Sequence, residues 1–63
     1  MTREEFEAVL ELYCPGAKIG TSSTGPAAGV VVNGKIRLFR SGRTAMEAMD
    51  NLIKAFEEVG FDE

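Results

Sequence analysis

The sequence predicts an α+β fold of order α-β-β-β-α, a small antiparallel sheet with both helices on one face. Three observations carry this. Thr2 with Glu5 and Thr44 with Glu47 have the spacing of capping boxes, in which side chains satisfy amides left without partners in the first helical turn. Each heads an apolar stripe of helical period. Between them, Asn33-Gly34 separates two apolar runs, the strongest short signal for a two-residue hairpin whose central residues both take positive φ.

In chain order, Phe6, Val9, Leu10 and Tyr13 form the stripe of a short first helix that ends at Pro15-Gly16. Ala17 to Thr21 reads as an edge strand with Ile19 inward. The run from Gly20 to Gly29, rich in Gly, Ser and Thr, is a turn region and not a linker, because neither flank could bury a core alone. Residues 1–63 therefore read as one domain.

The hairpin then sets a register. A two-residue turn pairs Val32 with Lys35, Val31 with Ile36 and Val30 with Arg37. Strict alternation puts Val31, Ile36 and Leu38 on the core face, and Val30, Val32, Lys35, Arg37 and Phe39 on the other. A second helix runs from Thr44 to Val59, with Met49, Leu52, Ile53 and Phe56 recurring at i, i+3, i+4 and i+7 and Ala45, Ala48, Ala55 and Val59 widening the stripe. Gly60 supplies a left-handed C-terminal cap, with Phe61 expected to fold back on Phe56. The expected core is Phe6, Val9, Leu10, Tyr13, Ile19, Val31, Ile36, Leu38 and the four large residues of the second stripe.

At 63 residues the core is thin. A chain of this size buries only about 60% of its unfolded surface, and stability is expected to be marginal or aided by a second copy. One cysteine, Cys14, excludes an internal disulfide and fits a cytoplasmic compartment; the absence of histidine excludes an ordinary Cys/His zinc constellation. No apolar run approaches the length of a membrane span, and the acidic N-terminal stretch is the wrong flank for a signal peptide.

The net charge of −3 conceals a strong segregation. Residues 1–14 sum to −3, residues 15–43 to +5 with no acid at all, and residues 44–63 to −5. A basic sheet backed by acidic helices is able to steer an acidic partner onto its sheet side.

No catalytic constellation assembles. The hydroxyls have no histidine base, and the carboxylates lie on solvated helix faces. Gly20 and Gly25 have the glycine spacing of a phosphate loop, but Pro26-Ala27 stand where lysine and a hydroxyl are required, and the loop reads as a polar turn. Nothing calls for a cofactor. The expected binding surface comprises Val30, Val32, Lys35, Arg37, Phe39, Arg40 and Arg43. An apolar patch rimmed by arginine fits a protein partner, either a different protein or a second copy forming a homodimer. Cations alternating with an aromatic also occur in nucleic-acid binders, where rings stack on bases and cations neutralise phosphates.

At the strand-to-helix junction, Gly42-x-Thr44-x-x-Glu47-Ala48-x-x-Asn51-x-x-x-Ala55 resembles the corresponding junction of HicB-type antitoxins. The resemblance implies a sheet-plus-helix module similar to a partial double-stranded-RNA-binding fold, which in that family binds and blocks a small RNA-cleaving toxin. An inhibitor from a phage or mobile element would fit it. A helix before the strands departs from the antitoxin pattern but gives the α-β-β-β-α order of the double-stranded-RNA-binding domain itself, whose lysine-rich start of the second helix is replaced here by Ala45-Met46-Glu47.

Overall fold

A computed structural model describes residues 1–60. Helix α1 (Arg3–Tyr13) leads into strands β1 (Lys18–Thr21), β2 (Ala27–Val32) and β3 (Lys35–Ser41), and α2 (Ala45–Val59) follows. The three strands form one antiparallel sheet in the order β1-β2-β3, and both helices pack on the same face. This is the α+β arrangement the sequence predicts.

Local chemistry sets the element ends. Thr2 Oγ1 accepts from the Glu5 amide at 3.2 Å, and Thr44 Oγ1 accepts from the Glu47 amide at 3.1 Å. Each helix therefore begins at its threonine. Gly60, at φ 62°, ends α2 by donating its amide to the Phe56 carbonyl at 2.8 Å. A glycine with positive φ is a common helix stop; the expected Phe61 contact lies outside the described residues. Asn33 takes φ 53° and Gly34 takes φ 78°. Paired positive values at the two central residues are those of a type I′ hairpin.

The core holds Phe6 and Leu10 of α1, Ala28, Val30 and Val32 of β2, Leu38 of β3, and Ala48, Met49, Leu52, Ile53, Ala55 and Phe56 of α2. Val9 and Ile19 pack against its margin. Phe6 and Phe56 meet edge to face at 5.2 Å between centroids, a favoured aromatic geometry that joins the helices. Tyr13 was expected in the core; it is 70% exposed and leans its ring on Phe56 from the rim.

The main correction concerns the sheet faces. Val32 pairs with Lys35 and Val31 with Ile36 as expected, but Val30 pairs with Leu38, because Arg37 is an extra residue in a β-bulge. The bulge breaks the alternation of β3 between Ile36 and Leu38. Consequently Val30 and Val32 are buried with Leu38, while Val31 is half-buried on the opposite face and Ile36 is 64% exposed.

The physical reason lies in all three strands together. Facing Val31 inward would turn Gly29, Gly20 and Lys18 inward with it, since these share its face through the β1 pairing. Facing Val30 inward instead buries Ala28 and Val32 and brings Ile19 to the core margin. That choice leaves a regular β3 with both Ile36 and Leu38 outside; one extra residue restores Leu38 to the core at the cost of exposing Ile36.

Candidate binding surface

The helices cover one side of the sheet and leave the other open. Because cross-strand partners share a face, the open side carries Lys18 and Gly20 of β1, Gly29 and Val31 of β2, and Ile36 and Phe39 of β3. Gly20 and Gly29 are direct partners, so two adjacent strands meet there without side chains. Phe39 pairs with Gly29 and lies over it: a Cβ on Gly29 would stand 3.4 Å from Phe39 Cδ2 and 3.0 Å from the Leu38 carbonyl. An aromatic placed across from a strand glycine covers the backbone that the glycine leaves bare.

The result is a trough of about 340 Å³ floored by the glycine pair. Val31, Ile36 and Phe39 also line it, as do Thr21, Ser22 and Ser23 at the end of β1. Ser22 Oγ also accepts the Thr24 amide at 3.1 Å, which holds this β1–β2 turn in shape.

The predicted binding residues separate. Val30 and Val32 are core residues and contribute nothing to an exposed patch, because β2 turns them inward together with Ala28. Lys35 is exposed, but it pairs with Val32 and so lies on the helix side of the sheet near the hairpin end. Arg37 is the exposed bulge residue. Arg40 pairs with Ala28 on the helix side, where it is half-buried and donates to the Phe39 carbonyl at 2.6 Å. Arg43 is exposed in the loop before α2. Phe39 stays where it was expected, 48% exposed on the open face.

Sequence reasoning missed Val31, Ile36, Lys18 and the glycine pair. One signal was available: glycine inside a strand marks a bulge or a place of close approach, and Gly29 sits inside β2. Among the described residues, no group of three metal-ligating side chains comes together, and no helix is long and apolar enough to cross a membrane.

The junction residues that carry the antitoxin resemblance all have local work. A Cβ on Gly42 would fall 2.7 Å from the Ala48 amide nitrogen, so the β3–α2 connection passes directly against the helix start. Ala48 and Ala55 are buried beneath the sheet, and Asn51 Nδ2 donates to the Ser41 carbonyl at 2.9 Å, tying α2 to the end of β3. No protein family, curated protein or solved structure matches the chain.

Proposed function

We propose that the protein is a non-catalytic binding module that docks a partner protein on its open sheet face, and that it acts as a small inhibitor of that partner. The observation that carries this reading is the apolar strip of Ile36, Phe39 and Val31 on the uncovered side of the sheet. Ile36 is 64% exposed and Phe39 48% exposed. Contiguous apolar surface that includes an aromatic is the composition of a protein interface core.

Nucleic-acid binding would need the aromatic and the cations together. Here the bulge places Lys35 with Val32 on the helix side and Phe39 with Gly29 on the open side, so the alternating cation–aromatic surface expected from sequence is divided.

The test is a pull-down from native lysate with wild type and an Ile36→Asp variant, each with and without nuclease. A protein retained by wild type after nuclease and at high salt, and lost with Ile36→Asp, supports the reading. Recovery of nucleic acid alone, with the steep salt dependence of phosphate contacts, overturns it.

A further inference from the structure

We infer that the Asn33-Gly34 turn is a site of spontaneous covalent modification, at which the Asn33 side chain cyclises onto the Gly34 nitrogen and opens to aspartate or isoaspartate while the hairpin stays folded. The inference is independent of what the open face binds.

The Gly34 nitrogen gives its proton to water and attacks Asn33 Cγ. A C–N bond forms, the Cγ–Nδ2 bond breaks, and the amine takes a proton from water and leaves as ammonia. The product is a five-membered succinimide. Water then adds to one of its two carbonyls. Addition at Cγ restores the original backbone with an aspartate side chain, whereas addition at the backbone carbonyl routes the chain through Cγ as isoaspartate.

The turn is built for the first step. Asn33 and Gly34 are both exposed, and the glycine puts no side chain beside the attacking nitrogen. The closing pair of the hairpin is Val32 with Lys35, which leaves the Gly34 amide to solvent. A succinimide ring holds Asn33 Cβ close to the plane of the Gly34 nitrogen, which sets ψ at about −120°, the value at the first central residue of a type II′ turn. Types I′ and II′ share a positive φ at that residue, and Asn33 already has it, at 53°. Only the peptide plane between Asn33 and Gly34 has to flip. The flip takes Gly34 from φ 78° to a negative φ, and glycine occupies both readily. Type II′ also closes a two-residue hairpin with the twist of its strands, so the Val32–Lys35 pair survives the reaction.

The chain supplies its own control. It has two asparagines and no glutamine. Asn51 lies inside α2 and donates its side-chain amide to the Ser41 carbonyl at 2.9 Å. Buried Leu52 follows it, and a helical ψ of about −42° keeps the next nitrogen away from Cγ. Reaction is thereby confined to Asn33.

The two products differ in effect. Aspartate keeps the backbone and tolerates a left-handed φ, but it brings a negative charge into residues 15–43, which otherwise hold no acid. Isoaspartate lengthens the turn by a methylene. Because a two-residue turn fixes the register, the longer one loosens the strand ends that hold Val32 inward and Ile36 on the open face.

The test ages the folded protein in mildly alkaline buffer made with heavy-oxygen water, beside the same chain in denaturant and beside Asn33→Gly, which keeps a turn-forming pair. Peptide mapping by mass spectrometry should find ammonia loss and then labelled acid at residue 33 of folded wild type, with Asn51 intact and Asn33→Gly unchanged. Sucrose, which stabilises the folded state, should leave the rate unaltered. The isoaspartate form, separated by chromatography, should melt several degrees below wild type or be unfolded, and Asn33→Asp should melt close to wild type. Folded protein that stays intact while the denatured chain reacts would overturn the inference, because the turn would then protect Asn33. A rate that sucrose suppresses would assign the reaction to unfolded chains, and equal modification of Asn51 would remove the role of the turn; either contradicts it. An isoaspartate form that melts with wild type would overturn the proposed effect on the hairpin.

Discussion

Substituting threonine for valine or isoleucine keeps the β-branched shape that strands favour while placing a hydroxyl where a methyl stood. Val30→Thr and Ile36→Thr therefore probe burial with little change in strand propensity. Val30 has no exposed surface and lies among apolar side chains, so its hydroxyl would be buried at a cost of about 1–3 kcal/mol. Ile36 is 64% exposed, so its threonine hydroxyl stays in water and the loss of apolar contact costs under about 1 kcal/mol. For a chain of this size, about 1 kcal/mol moves Tm by roughly 4–8 °C. Thermal unfolding followed by circular dichroism should then show Val30→Thr melting about 4–24 °C below wild type, and below Ile36→Thr, whose Tm should fall by less than about 8 °C. The opposite order would mean that β3 pairs without its bulge and that Ile36 faces the helices, and the open-face assignment would fall with it.

Three other substitutions test the packing that supports the sheet. Gly42→Ala forces a methyl against the Ala48 amide nitrogen, 2.7 Å away, and should destabilise by about 1–3 kcal/mol in chemical denaturation; an unchanged midpoint would show that the junction has slack. Phe56→Ala removes the ring shared by Phe6 and Tyr13, at a cost of about 3–5 kcal/mol. That is comparable to the whole stability of so small a domain, so the variant should be largely unfolded by far-ultraviolet circular dichroism at room temperature, and a cooperative melt near that of wild type would contradict the core. Asn51→Ala frees the Ser41 carbonyl and should cost about 0.5–1.5 kcal/mol, with faster hydrogen exchange concentrated at the start of α2; uniform exchange changes would argue against a local tie.

Much of the fold was legible because its signals are local. The two threonine caps, the Asn33-Gly34 turn and the Gly60 stop each act through a few neighbouring residues, and each appears where the sequence puts it. The stripe of α2 was equally readable, since Met49, Leu52, Ile53 and Phe56 are all buried. The faces of the hairpin were not. A bulge leaves no composition signature at Arg37; it arises from a compromise among Ile19, Ala28, Val30, Val32 and Leu38, which lie on three strands. Period-two reading within β3 alone sends Ile36 and Leu38 the same way, and the candidate site inherited that error through Val30 and Val32. Comparing the alternatives across β2 would have helped, because one face offers Ala28, Val30 and Val32 and the other Gly29 and Val31.

Site-specific photocrosslinking in the native cells tests the central claim most directly, that this module binds a protein through the side of the sheet the helices leave open. p-Benzoylphenylalanine placed at Ile36 reports from the open face, and the same group at Lys54, exposed on α2, reports from the helix layer. The account predicts a protein adduct from position 36, resistant to nuclease, and none from position 54. An adduct formed only from position 54, or one from position 36 that nuclease removes, would contradict it.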